Sequence, residues 1–400
     1  MTDRERVLAA LRHTEPHRVP IDLGGTESSG LTAVAYNRLK SYLGLPLGGR
    51  VVDCTQFVVA VEEEVKRAFG VATEMLFPGP RRWRPAILPD GSPCEVPELW
   101  RTVVRPDGTE EALDDGGRVT ARRSSTGHHF DPVNPPLAGV ESVSELARYR
   151  ELIAGFDWPS YADESIEDLA ARAKRLHEET QRTVVFNYMV HLLAAGQILR
   201  GYETFLMDLA ATPALADALL TELVTAYCAR TERMLPALGD NIDVVLVNDD
   251  LGTQAGPMLS PDLYRRMLKP HQQRLFAHLR SLTHAPLLLH SCGSVRYAIP
   301  DLIEIGVDAL NPVQVSAAGM DSAQLKREFG RDITFWGGGC DTQHVLNRGS
   351  VADVREEVKR RIGDFAPGGG FVFCQVHNIQ PDVPPENVVA MLEAAREFGG

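Results

Sequence analysis

Ala285-Pro-Leu-Leu-Leu-His-Ser-Cys-Gly293 reads as a short apolar strand that runs out into a polar cluster. Side chains repeat every two residues along a strand, so His290 and Cys292 face the same way. Gly293 frees the chain to turn at once. An imidazole and a thiol side by side at a strand end are half of a zinc site. The same pattern also suits a hydrogen-bonded core histidine beside a small buried thiol, so the surrounding chain has to decide.

The motif of a strand with a polar end recurs on both sides. Downstream it appears in Asp308-Ala-Leu-Asn-Pro-Val-Gln314, Ile333-Thr-Phe-Trp-Gly-Gly-Gly-Cys340 and Gly369-Gly-Phe-Val-Phe-Cys374. Upstream it appears in Thr183-Val-Val-Phe-Asn-Tyr188 and Ile242-Asp-Val-Val-Leu-Val-Asn-Asp-Asp250. Helical periodicity fills the intervals, over about 163–179, 191–210, 213–237, 261–281, 321–329, 350–365 and 385–398. Ser260 and Pro261 supply the cap and first position of the fourth. Nearer the N-terminus, Val19–Gly25 and Thr73–Phe77 read as two further strands, with helices over about 3–13, 33–43 and 57–69.

Strands alternating with helices predict a parallel sheet. Strands near residues 21, 75, 185, 245, 288, 311, 335 and 372 make eight βα units, which predicts an α/β protein built as a (β/α)8 TIM barrel over residues 1–400 as one domain. A doubly wound sheet is the competitor, but no Gly-x-Gly-x-x-Gly follows the first strand. Gly337-Gly-Gly339 lacks the lysine of a phosphate loop. Between Pro78 and Asn134 the texture changes to short strand-like runs joined by Asp90-Gly, Asp107-Gly and Asp115-Gly turns. This stretch, 78–134, is expected to be a small β insertion after an early strand.

Composition sets bounds. The net charge of -13 gives no basic field for phosphates and excludes nucleic acid as the expected partner. No apolar run is long enough to span a bilayer, so no membrane is expected as a partner. The charged start, Met1-Thr-Asp-Arg-Glu-Arg6, leads into no apolar segment of a secretory signal. Six dispersed cysteines suit free thiols in a reducing cytoplasm, so a cytoplasmic protein with a small-molecule substrate is expected. A homodimer is one open expectation for its assembly.

A barrel of this kind carries its active site at the C-terminal ends of its strands. Those ends hold Asp22, Asn187, Tyr188, Asn248, Asp249, Asp250, His290, Cys292, Asn311, Gln314, Cys340, Asp341, Cys374, His377 and Asn378. Convergence of such a ring is what favours zinc at His290 and Cys292. A catalytic zinc needs a third protein ligand, and Cys374, His377 and Cys340 compete for the place. His377 also suits general acid–base work. Arg81, Arg82 and Arg84, around Trp83, offer guanidinium groups to a carboxylate or phosphate, or form a solvated surface run.

The chain resembles the uroporphyrinogen decarboxylase superfamily. The resemblance rests on Arg200-Gly-Tyr-Glu203, Asn248-Asp-Asp-Leu-Gly-Thr-Gln254 with Ser260-Pro-Asp-Leu-Tyr264, His290-Ser-Cys-Gly-Ser294, Gly306-Val-Asp-Ala-Leu-Asn311, Gly337-Gly-Gly-Cys-Asp341, His377-Asn-Ile-Gln380 and Pro384-Pro-Glu-Asn387. It implies a TIM barrel and either of two chemistries. Metal-free decarboxylases of the superfamily hold their substrate's carboxylates with an arginine-rich segment after the first strand. Here that position reads Asp22-Leu-Gly-Gly-Thr26, without arginine. Corrinoid-dependent methyltransferases bind zinc through His-x-Cys and a cysteine near the last strand. His290 and Cys292 match the first half, and the third-ligand position falls on His377, with Cys374 three residues earlier.

The expectation is therefore a zinc-dependent methyltransferase working with a corrinoid or a corrinoid protein. Its metal ligands are His290, Cys292 and either His377 or Cys374. Asp250, Asp341 and His377 are its catalytic residues. Asp22, Asn187, Tyr188, Asn248, Asp249, Asn311, Gln314 and Asn378 are its substrate-binding residues. The alternatives are a metal-free decarboxylase acting on a porphyrinogen or another carboxylate, and a non-catalytic barrel that binds a corrinoid or a partner.

Overall fold

The computed structural model describes residues 1–156 and 161–400. Seven strands form one parallel sheet: β1 (Thr73–Leu76), β2 (Thr183–His191), β3 (Val244–Asn248), β4 (Leu287–His290), β5 (Ala309–Asn311), β6 (Thr334–Trp336) and β7 (Phe371–Val372). They pair in chain order from β1 to β7. Each parallel pairing needs a crossover, and the long stretches between strands supply it as helices.

The sheet curls until both edges reach one residue. Ile21 makes parallel bridges to Val71 beside β1 and to Phe373 beside β7. Ala72 N donates to Ile21 O at 2.7 Å and Phe373 N to Pro20 O at 2.9 Å. The strand expected over Val19–Gly25 is thereby reduced to a single bridging residue. Pro20 has no N–H to give to a ladder, and past Asp22 the chain turns away through Gly24, whose φ is +78°.

Side chains alternate as the pleat requires. Val185, Val244, Leu288, Ala309, Trp336, Val372 and Cys374 share one buried interior cluster. The neighbours Val184, Phe186, Val245, Leu287, Leu310 and Phe335 belong to the outer core under the helices. Helix Asp3–Leu11 adds Val7, Ala10 and Leu11 to the interior cluster. It is tied there by Gly370 N donating to Ala10 O at 3.0 Å. Each such buried aliphatic side chain contributes ~1.5–3 kcal/mol relative to exposure, so the interior is a packed floor under whatever lies at the strand ends.

Several boundaries differ from expectation. The helix over 57–69 begins only at Glu63, because Val58–Val59 pairs antiparallel with Val51–Asp53. The segment 261–281 divides into Pro261–Met267 and Lys269–Leu282, since Pro270 cannot donate to a carbonyl one turn back. Residues 83–132 form two small antiparallel sheets, Trp83–Ile87 with Pro93–Pro97 and a second running from Arg101–Val104 to Asp131–Pro132. No single helix among the described residues is long and apolar enough to cross a membrane.

Candidate metal centre

Register builds the site. Across the sheet His191 pairs with Asn248, Asn248 with His290, and His290 with Asn311. Four polar side chains from four strands thus stand in one row above the apolar floor. β2 reaches this row because it runs on to His191, past the Tyr188 end expected, with a register shift after Asn187.

His290 and Cys292 meet as the pleat predicts, with Nε2 and Sγ 3.4 Å apart. His377 arrives from the loop after β7. The donor atoms of His290, Cys292 and His377 all lie within 4.8 Å of one another. Both imidazoles are oriented from behind. Asn311 Oδ1 accepts from His290 Nδ1 at 3.0 Å, and Asn311 Nδ2 donates to the Trp336 carbonyl at 3.0 Å. Asn378 Oδ1 accepts from His377 Nδ1 at 3.0 Å and its Nδ2 donates to Gln56 Oε1 at 2.9 Å. Gln56 Nε2 in turn donates to Asp53 Oδ2 at 3.1 Å. Each histidine therefore keeps its proton on Nδ1 and presents a bare Nε2 to the cluster.

The set fits a divalent metal by its donor chemistry. Tetrahedral zinc with Zn–S of ~2.3 Å and Zn–N of ~2.0 Å places nitrogen and sulfur ~3.5 Å apart, close to the separation found. Two imidazoles held by amide oxygens and one thiol are the ligands zinc takes, and three protein donors leave a fourth position for a substrate. Burial first, then the Asp250 carboxylate, holds the Cys292 thiol well above its ordinary range. A bound cation reverses that balance. Burial, reinforced by neighbouring His290, draws His377 down to about 4, so its ring is neutral.

The other expected site residues divide by position. Asp250 stands beside the cluster: its Oδ1 accepts from Cys292 N at 2.8 Å and lies 3.7 Å from His290 Nε2. Asn248, Asp249 and Asp250 line a cavity of about 350 Å³ next to the cluster, with His191, His290, His377, Glu27, Ser28 and Gln56 among its other walls. Asp249 is committed to the fold, accepting from Leu193 N at 2.7 Å and Gln272 Nε2 at 3.1 Å.

Several residues lie outside that cavity. Asp22 is fully buried, its oxygens taken by Gly25 N, Thr73 Oγ1 and Trp336 Nε1, each at 2.7 Å. Asn187 is buried as well and donates to the Gly25 and Val185 carbonyls. Tyr188 points outward and stacks on Phe186, because an odd step along β2 reverses its face. Gln314 braces a loop, accepting from Gly293 N and donating to Gln254. Asp341 accepts from Gln343 N and His344 Nδ1, shaping its own turn. Cys374 and Cys340 are buried and stand apart from the cluster: Cys374 belongs to the interior floor and Cys340 to the outer core. The arginines of 81–84 lie outside this cavity: Arg81 pairs with Asp168, Arg82 with Glu98, and Arg84 donates to the Trp100 carbonyl.

Glu27, Ser28, Gln56 and His191 line the cavity without having been expected there. Ser28 Oγ donates to Asn311 Oδ1 at 2.6 Å, and burial, then Asp53, pushes the Glu27 carboxyl up to about 8. All four lie beyond the strand ends as predicted, so position along a strand gave no signal for them.

The family model described as uroporphyrinogen decarboxylase (URO-D) matches residues 185–398. The uroporphyrinogen decarboxylase of Alkalilimnicola ehrlichii is 27% identical over 149 residues, covering 36% of this chain and 38% of that protein. That of Thermus thermophilus is 29% identical over 144 residues, 35% and 38% of the two chains. That of Legionella pneumophila is 25% identical over 184 residues, 46% and 48%. The chain thus spans less than half the length of these curated relatives. Among solved structures, a methyltransferase from Methanosarcina mazei aligns over 100% of both chains with a TM-score of 0.59 and 18% identity, a likeness of fold.

Proposed function

We propose, given that this chain belongs to the uroporphyrinogen decarboxylase (URO-D) family, that it is a zinc-dependent methyltransferase acting between a small methylated compound and a corrinoid or corrinoid protein. The observation that carries this reading is the convergence of His290, Cys292 and His377 within 4.8 Å. We read residues 1–400 as one (β/α)8 barrel whose first strand has shrunk to Ile21, with 78–134 inserted in it. We place the protein in the cytoplasm, without nucleic acid or membrane as partner.

His290, Cys292 and His377 would hold the metal, which supplies Lewis acidity to the heteroatom of a substrate. The chain's own residues do the rest. Asn311 and Asn378 fix both imidazoles with Nε2 forward. Asp250 fixes the backbone of Cys292 and faces the same space. The apolar floor below excludes water from the side away from the mouth.

Purified protein is expected to carry about one zinc per chain, and Cys292→Ala to carry none with its fold retained. Wild-type protein that stays metal-free in excess zinc overturns the reading. The metal-free decarboxylase reading draws support from the names of the curated relatives. Against it, no lysine or arginine is among the described residues lining the cavity, and a substrate with several carboxylates needs such partners. Release of carbon dioxide from uroporphyrinogen by the purified protein would favour that reading.

A further inference from the structure

Asp53 is not among the residues that line the cavity, yet hydrogen bonds in series lead from it to His377. Gln56 Nε2 donates to Asp53 Oδ2 at 3.1 Å, Asn378 Nδ2 to Gln56 Oε1 at 2.9 Å, and Asn378 Oδ1 faces His377 Nδ1 at 3.0 Å. A primary amide has an acceptor at one end and a donor at the other, and it fits the opposite polarity by turning over. The amides of Gln56 and Asn378 therefore carry no direction of their own. Gln380 Nε2 also donates to Asn378 Oδ1, at 2.6 Å, but the Gln380 side chain makes no second hydrogen bond among the described residues and is free to turn with its neighbour.

The direction has to enter at one end of the series. His377 does not supply it, because a neutral imidazole donates or accepts at Nδ1 according to its tautomer. Asp53 is the other end, and an ionised carboxylate only accepts. Asp53 is 5% exposed and is repelled by the Glu27 carboxyl. Burial pushes both carboxyls up. Against that, Asp53 Oδ1 accepts from the backbone N–H groups of Thr55 at 2.7 Å and Gln56 at 3.3 Å, and Oδ2 from the Gln56 side chain. No described side chain or backbone N–H donates to the Glu27 carboxyl. Of two interacting acids, the one whose charged form is hydrogen-bonded keeps the charge, and the other keeps the proton. The charge sits on Asp53 and the proton on Glu27.

Resting on the metal reading above, we propose that Asp53 is a positioning residue of the metal centre: its negative charge, relayed through Gln56 and Asn378, holds the His377 proton on Nδ1 and leaves Nε2 bare for the metal. No proton moves along the relay; each amide only keeps its orientation. Asp53→Asn inverts it. One oxygen remains for the Thr55 and Gln56 N–H groups, while the new amide nitrogen meets Gln56 Nε2 donor to donor. Gln56 turns over, Asn378 follows, and its Nδ2 then meets His377 Nδ1. The imidazole proton is driven to Nε2, the atom a metal needs.

The test uses full-length protein labelled with 15N-histidine and stripped of metal, the His377 signal being identified by its loss in His377→Gln. Long-range 1H–15N correlation is expected to show the Nδ1–H tautomer in wild type and the Nε2–H tautomer in Asp53→Asn. Zinc affinity, read by chelator competition, should fall about 10–100-fold in Asp53→Asn. It should stay within about threefold in Glu27→Gln, which leaves the Asp53 charge in place. Gln56→Leu cuts the relay without touching Asp53, and carries the test if Asp53→Asn does not fold. It should give a mixture of tautomers and about tenfold weaker zinc binding. A wild-type Nδ1–H tautomer retained in either relay variant, or zinc affinity unchanged by both, overturns the inference and leaves the metal reading standing. Wild type that binds no zinc overturns the metal reading instead. The tautomer comparison, made without metal, still decides whether Asp53 directs His377.

Discussion

Asn311 Oδ1 accepts the Nδ1 proton of His290 at 3.0 Å, and the opposite end of the same amide donates to the Trp336 carbonyl. Because Trp336 O can only accept, the amide cannot turn over, and the tautomer of His290 is fixed from two strands away. Asn311, expected to touch substrate, instead works through its neighbour.

Replacing Asn311 by Leu keeps the volume and removes the orientation. Zinc affinity, measured by competition with a chromogenic chelator, should fall about 10–100-fold. His290 Nδ1 and the Ser28 hydroxyl would lose their partner, at a cost of ~1–3 kcal/mol per group. Unchanged affinity would show that Asn311 only fills space.

His377 and Cys374 stand three residues apart on one loop, and only His377 joins the cluster. His377→Ala should therefore abolish stoichiometric zinc binding. Cys374→Ser, beneath the cluster and within 3.9 Å of Asn311 Nδ2, should retain about one zinc per chain. Metal analysis of the two variants side by side decides, and the reverse result would transfer the ligand role to the thiol.

Gly293 has a φ of +84°, and a Cβ there would lie 2.5 Å from the Gly252 carbonyl carbon and 2.7 Å from Thr253 O. Both neighbours are backbone and cannot yield locally. Gly293→Ala is expected to destabilise the chain by roughly 1–3 kcal/mol and to displace Cys292, lowering zinc affinity as well. Urea unfolding and chelator competition read the two effects. A variant as stable as wild type would mean that the two loops part without cost.

Glu27 keeps its proton to about pH 8 in the folded chain, whereas an unfolded glutamate ionises near ~4.3. Between those values the native state binds more protons, so the stability this group contributes is full below about pH 4.3 and is lost as pH rises toward 8. Glu27→Gln removes that titration. Relative to wild type, the variant should gain on the order of 1–3 kcal/mol between about pH 5 and pH 8. Urea unfolding at both pH values measures it, and a difference constant with pH would show a carboxylate already ionised at pH 5.

The sequence by itself determined the alternation of strands and helices, because apolar runs of four or five residues with polar ends are local signals. It also set His290 and Cys292 on one face, since a period of two needs no tertiary context. The tertiary structure decided which distant residue joins them. Cys374, Cys340 and His377 are equivalent as residues near strand ends, and only the turn after β7 sends His377 to the cluster and leaves both thiols in the packing. It also decided the fate of Asp22, held in the core by Thr73 and Trp336 from two other segments as well as by nearby Gly25, and of Glu27 and His191, which reach the cavity beyond the expected strand ends. Register, loop path and the satisfaction of buried polar atoms are properties of several segments at once, so no single stretch of the chain records them.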